Sequence, residues 1–104
     1  MRPFRRRLAQ QDIEQATEYY ETHGGEAIAL DFLDDLEATL ETLCQFPGAG
    51  SLKYGERLKV EGLRSQPLRH FPYVVLYVPR VDRLEVWRVL HGRRDIPARL
   101  RFGD

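Results

Sequence analysis

The side chains best equipped for chemistry in this sequence are His91 and the arginines around it in the C-terminal half: Arg64, Arg69, Arg88, Arg93 and Arg94. Imidazole titrates near neutral pH and can act as general acid or base. Guanidinium groups can stabilise charge developing on a phosphate. RNA cleavage through its 2′-hydroxyl would need a base, an acid and cations around the phosphate, and these arginines could supply the cations. Each has a quieter reading as well. His91 can cap a strand end through a neighbouring backbone group or Asp95. Arg88 stands inside an apolar run, where an unpaired guanidinium is costly. It therefore needs either an acid, such as Glu85 or one on a helix, or a functional surface. Trp87 and Tyr77 can stack on nucleobases or fill a core. The arginines from Arg93 to Arg101 form either a phosphate-binding patch or a solvated charge run.

Other chemistries find no support in the residue pattern. His23 and His70 fall in loops, and three scattered histidines without cysteines or paired carboxylates do not make a metal site. The sequence has no glycine-rich phosphate loop, Ser/His/Asp set or Cys/His pair. No cofactor is expected. Cys44 is the single cysteine, so no internal disulfide can form and a reducing compartment fits. No apolar run approaches the roughly 18 residues of a membrane span. The basic start, Met1 to Arg7, leads into Gln10, Gln11, Asp12 and Glu14, where an export signal would be apolar. The expectation is a cytoplasmic protein.

Charge is distributed unevenly behind a formal net charge of +0. Residues 1–7 hold four arginines and no acid, and residues 8–50 hold ten acids and no Lys or Arg. Residues 51–104 hold twelve basic residues and six acids. Helix propensity explains the acids, yet Lys and Arg are also good helix formers. An acidic half joined to a basic half steers association with charged partners.

The elements that must position these groups follow from periodicity. At 104 residues the chain reads as one domain, 1–104, since domains most often run to about 100–150 residues. Pro3 to Arg7 suits an edge strand, where Pro3 is tolerated at the start. Ala9, Ile13, Ala16 and Tyr20 share one face of a helix that His23-Gly24-Gly25 ends. Ala29, Leu33, Leu36, Leu40 and Leu43, flanked by Phe32 and Cys44, stripe a second helix, which Phe46-Pro47-Gly48 stops. Asp31, Asp34, Asp35, Glu37 and Glu41 take its remaining faces. Residues 48–56 read as a glycine-rich loop. Leu58-Lys59-Val60 and Leu63 to Leu68, broken by Gly62 and Pro67, read as a short or bulged edge strand. Tyr73 to Val78 is a strand covered on both faces, and Leu84 to Leu90 returns as its hairpin partner. A single helical turn is expected after Pro97. The fold class is α+β: β-α-α-β-β-β, a helical hairpin packed on a small, mainly antiparallel sheet.

That element order resembles the ParE branch of the ParE/RelE toxin superfamily, also called plasmid-stabilisation proteins. The resemblance is carried by Ala9 and Asp12-Ile13 opening the first helix, Tyr19-Tyr20 before a Gly turn, and Ala29 and Phe32 early in the second helix. It continues through Pro47-Gly48, Leu63-Arg64, the segment Phe71 to Tyr77, Arg88-Val89-Leu90-His91 and Arg93-Arg94-Asp95. It implies the toxin of a type II toxin–antitoxin pair, wrapped by the disordered tail of a cognate antitoxin and acting on DNA gyrase. Tyr19, Tyr20, Phe32, Tyr73, Tyr77 and Trp87 are the candidates for antitoxin binding; Arg64, Arg69, Arg88, His91, Arg93 and Arg94 are those for the target. RelE relatives instead cut mRNA in the ribosomal A site, a reading under which His91, Arg88 and Arg64 would be the catalytic residues. They usually carry basic residues across the sheet and a Tyr near the C-terminus, whereas residues 96–104 contain no Tyr, His or Lys. A module that binds an antitoxin-like tail without toxicity is the third alternative. Direct nucleic-acid binding belongs only to the RelE-like reading, and no membrane contact is implied.

Overall fold

The computed structural model describes residues 1–94 and 96. The elements are β1 (Arg2–Arg5), α1 (Arg7–Gly24), α2 (Glu26–Gln45), α3 (Lys53–Leu58), β2 (Arg64–Pro67), β3 (Tyr73–Pro79) and β4 (Arg83–His91), with a 3₁₀ turn at Pro47–Ala49. The sheet order is β1-β4-β3-β2. β4 pairs antiparallel with β3, and β3 antiparallel with β2, while β1 runs parallel to β4. β1 and β2 are therefore the edges.

α1 and α2 form an antiparallel hairpin because Gly25 permits an abrupt reversal. Its φ of +92 is open to glycine. Its N–H bonds Glu21 C=O at 3.1 Å while its own C=O accepts from Ala29 N–H at 3.2 Å, so one residue closes α1 and opens α2. Ala9, Ile13 and Ala16 of α1 meet Phe32, Leu36, Leu40 and Leu43 of α2 in a core shared with Tyr73, Val75, Tyr77, Leu84, Val86 and Val89 of the sheet. Leu33 and Tyr20 pack at its margin. Each fully buried large apolar side chain contributes about 1.5–3 kcal/mol of burial free energy.

The other face of the sheet has its own cluster of Leu63, Leu76, Val78, Leu90 and Ile96. This explains the unbroken apolar run of β3, whose two faces are both covered. Covering the second face changes two expectations. The stretch read as a loop over 48–56 contains α3, and Leu58-Lys59-Val60 is the end of that helix and its exit, not a strand. Tyr54 and Leu58, four apart on α3, pack with Val60 against the second cluster, so tertiary burial overrides the glycine-rich composition. Gly55 is needed there by close approach: a Cβ would lie 2.5 Å from Leu63 C=O. The expected helical turn after Pro97 lies outside the described residues.

The register of β4 shifts within its pairing. Tyr77 pairs with Val86 and Leu76 with Arg88, leaving Trp87 as the extra residue, a β-bulge. β1 accompanies β4 only as far as Arg5↔Val86, and Arg6 N–H bonds Val86 C=O at 3.0 Å. Beyond that point α1 begins, and the outer edge of β4 must find its partners on a helix.

Candidate functional site

Arg88 is the candidate whose partner the fold fixes most clearly. Its Nε and Nη2 donate to the two Asp12 oxygens at 2.7 and 2.8 Å, with side chains only 12% and 9% exposed. The Asp12 carboxylate also accepts the Val89 N–H at 3.0 Å. It thus takes the place, on the edge of β4, that further residues of β1 would have filled. The partner is a helix acid, not Glu85, and it engages both Nε and Nη2 of the Arg88 guanidinium. Asp12 precedes Ile13 in the buried stripe of α1, and that position was the signal available in the sequence.

Arg64 serves the 47–50 segment, donating from Nη1 to the carbonyls of Gly48 at 3.1 Å and Gly50 at 2.8 Å. Beside it Tyr77, fully buried, accepts the Gly50 N–H at 2.9 Å and donates to Pro47 C=O at 2.8 Å. Burial pushes its phenol above the ordinary value, against the bond from Gly50 and the charge of Arg64. Tyr77 ties the 47–50 segment to the core. Phe32 and Tyr73 are buried as well, 5.3 Å apart between ring centroids, and packed with Phe71 and Tyr20. Large aromatic side chains that face the core give most of their area to stability. Tyr19 is exposed and stacks at 4.3 Å on His23, which lies in the last turn of α1 and not in a loop. Tyr20 and Trp87 are half-buried.

His91 holds the end of β4. Its Nδ1 accepts the Arg93 N–H at 3.2 Å, and its ring meets Tyr73 edge-on at 5.5 Å; Asp95, the alternative partner, lies outside the described residues. Arg93 and Arg94 are exposed just beyond it. Arg94 lines a cleft of about 170 Å³ together with Asp12, Gln15, Tyr19, Tyr73 and Leu90. The fold therefore brings Tyr19, His91 and Arg94 to one end of the α1–β4 seam. Arg69 is exposed at the β2–β3 turn, on the far side of the sheet order.

Two acids carry more of the architecture than their sequence positions suggest. Asp35, expected on an outer face of α2, is buried. Its carboxylate accepts the N–H groups of Arg69, His70 and Phe71 at 3.2, 2.8 and 3.1 Å, fixing the turn that precedes β3. Glu85 is buried in β4 and surrounded by Arg6, Arg80, Arg83 and Trp87. Burial alone would raise its carboxyl; hydrogen bonds from Arg83 and Trp87 and the charge of Arg80 outweigh it and hold it at about 2, below the ordinary 4.5. Among the described residues no group of three His, Cys, Asp or Glu is placed to hold a metal, and no helix is long and apolar enough to cross a membrane.

A helical hairpin on a four-stranded mixed sheet is also the arrangement found in a known protein. A solved structure, the chromosomal ParDE TA system from P. aeruginosa, matches with a TM-score of 0.73 over 88% of this chain and 95% of that one, at 22% identity. The model of the ParE toxin of type II toxin–antitoxin system, parDE, matches residues 5–96. Toxin ParE1 of Caulobacter vibrioides is 32% identical over 105 residues, spanning 96% of this chain and 99% of its own length. The protein is a small toxin of the type II toxin–antitoxin class. Within that class, the chain belongs to the ParE family.

Proposed function

We propose that this ParE-family toxin acts in the cytoplasm by binding and inhibiting DNA gyrase, and that a cognate antitoxin neutralises it by wrapping a disordered tail around it. One observation carries the choice of binding over catalysis. The three residues that RNA cleavage would require are each held by a different local partner: Arg64 by the Gly48 and Gly50 carbonyls, Arg88 by Asp12, and His91 by the Arg93 N–H. A nuclease site needs its base, acid and cations converging on one phosphate.

The two sheet edges support the wrapping. At β2, Ser65 already exchanges both backbone bonds with Ser51 at 2.9 Å. β1 is the edge left for a captured strand. The acidic helical hairpin and the basic β1 offer the tail two surfaces of opposite charge.

The test uses purified protein in two assays, gyrase supercoiling and mRNA on ribosomes. Inhibited supercoiling with intact mRNA is the expected pair of results; mRNA cut at codons with supercoiling untouched overturns the proposal. Replacing both Arg93 and Arg94 by Ala is expected to abolish growth inhibition with an unchanged melting temperature. Retained growth inhibition would move the target surface elsewhere.

A further inference from the structure

The end of β4 and the turn that follows it are held by two separate devices. Tyr73 pairs with His91 at the last position of the β3–β4 register, and Gly92 N–H donates to Pro72 C=O at 2.9 Å, which completes the ladder there. Gly92 sits close against β3, since a Cβ would lie 3.2 Å from Val74 Cγ2. The bond from Arg93 N–H to His91 Nδ1, 3.2 Å, comes after that point. It adds nothing to the ladder and acts on the direction the chain takes next. Arg93 and Arg94, the two cations that follow, are both exposed.

A side chain that accepts the N–H two residues on makes an Asx turn, a role usually taken by Asn or Asp and here by an imidazole. This imidazole is referenced to the core. Its ring meets Tyr73 edge-on at 5.5 Å. Tyr73 is itself buried, with the Phe32 and Tyr20 ring centroids 5.3 and 6.1 Å away. Packed rings, not the exposed arginines, therefore set the orientation of the turn. Long cationic side chains lose rotamer freedom when a partner holds them, and a backbone already fixed beneath them lowers the cost of binding.

We infer that His91 is a positioning residue for target binding: its Nδ1 fixes the turn that aims Arg93 and Arg94. The role rests on the reading of those two arginines as the target surface. It goes beyond that reading by giving the histidine a task that needs neither proton transfer nor contact with the target. A neutral ring that accepts at Nδ1 carries its proton on Nε2. What matters is an acceptor at that place. Asn carries its oxygen where His carries Nδ1, and Gln carries its oxygen further out, where His carries Nε2. A general base would need the imidazole itself.

The experiment compares His91→Asn, His91→Gln and His91→Ala with the parent and with the double variant Arg93→Ala, Arg94→Ala, in growth inhibition and in gyrase supercoiling. His91→Ala and His91→Gln are expected to raise the half-inhibitory concentration by about tenfold, the equivalent of one lost hydrogen bond. His91→Asn is expected to restore it to within about threefold of the parent. The Asn and Gln variants, alike in polarity, carry the decision where His91→Ala loses stability, and their melting temperatures should match. Nitrogen NMR of the neutral parent ring should find the proton on Nε2. A ring protonated on Nδ1 overturns the inference, as does equal loss of inhibition in the Asn and Gln variants. Inhibition that survives the double variant overturns this role together with the reading beneath it. Inhibition lost in the double variant yet whole in His91→Ala and His91→Gln overturns the role alone. The expected order of variants in growth inhibition, with supercoiling untouched, removes gyrase as the target and still supports the role of His91.

Discussion

Replacing Asp12 by Ala probes the junction where α1 takes over from β1. The substitution leaves the Arg88 guanidinium, 12% exposed, without the carboxylate that receives two of its donors, and it strips the Val89 N–H of its acceptor. Removing one partner of a buried pair costs about 3–5 kcal/mol, because the remaining charge stays buried. Domains of this size have total stabilities of about 5–15 kcal/mol, so the variant should approach the edge of folding. At about 4–8 °C per kcal/mol, the melting temperature should fall by more than about 10 °C. The double variant Asp12→Leu with Arg88→Met removes both charges and fills their volume. It should return to within about 2 kcal/mol of the parent, the remaining loss being the Val89 N–H. Urea unfolding monitored by circular dichroism reads all three proteins, and growth inhibition by the double variant reads function. A cost below about 1 kcal/mol for Asp12→Ala would refute the argument that this pair is buried and coupled. A double variant that is stable yet harmless would give Arg88 a part in the target surface beyond its pairing with Asp12.

Truncating Leu36 or Leu40 to Ala should cost about 2–5 kcal/mol in the same unfolding assay; a loss under about 1 kcal/mol would take that helix face out of the core. Tyr77→Phe leaves the Gly50 N–H and Pro47 C=O without the hydroxyl that joins them and should cost about 1–3 kcal/mol, with no cost if water replaces it freely. Glu85 governs acid behaviour. Its folded-state value of about 2 lies below the ordinary 4.5, so the unfolded chain binds the proton first. The stability it contributes is whole above 4.5, declines as pH falls through that window and is gone below about 2. Glu85→Gln should flatten that part of the stability profile, and an unchanged slope would assign the acid sensitivity to other carboxylates.

The helical hairpin was legible because its signals are local. Two apolar stripes at helical spacing, a glycine pair between them and Phe46-Pro47-Gly48 after them each act within a few residues. The β3–β4 hairpin was legible for the same reason, as was the burial of β3 on both faces. α3 was not, since its residues form a helix only when Tyr54 and Leu58 have a sheet face to cover. Among the candidate site residues, aromatic identity suggested partner contact at Phe32, Tyr73 and Tyr77, yet all three are buried. Residue type tells what a side chain can do, and burial tells whether anything outside can reach it.

Charge follows the same division. The separation of ten acids in residues 8–50 from the basic remainder is a property of the sequence, and so is the pattern of the first two helices, because both depend on neighbours along the chain. Which acid meets which cation belongs to the tertiary structure. Asp12 and Arg88 are 76 residues apart, and Arg6 and Glu85 are 79 apart; Asp35 reaches a turn 34 to 36 positions away. An ion pair's worth depends on distance and on the water around it, and both exist only after the chain has packed.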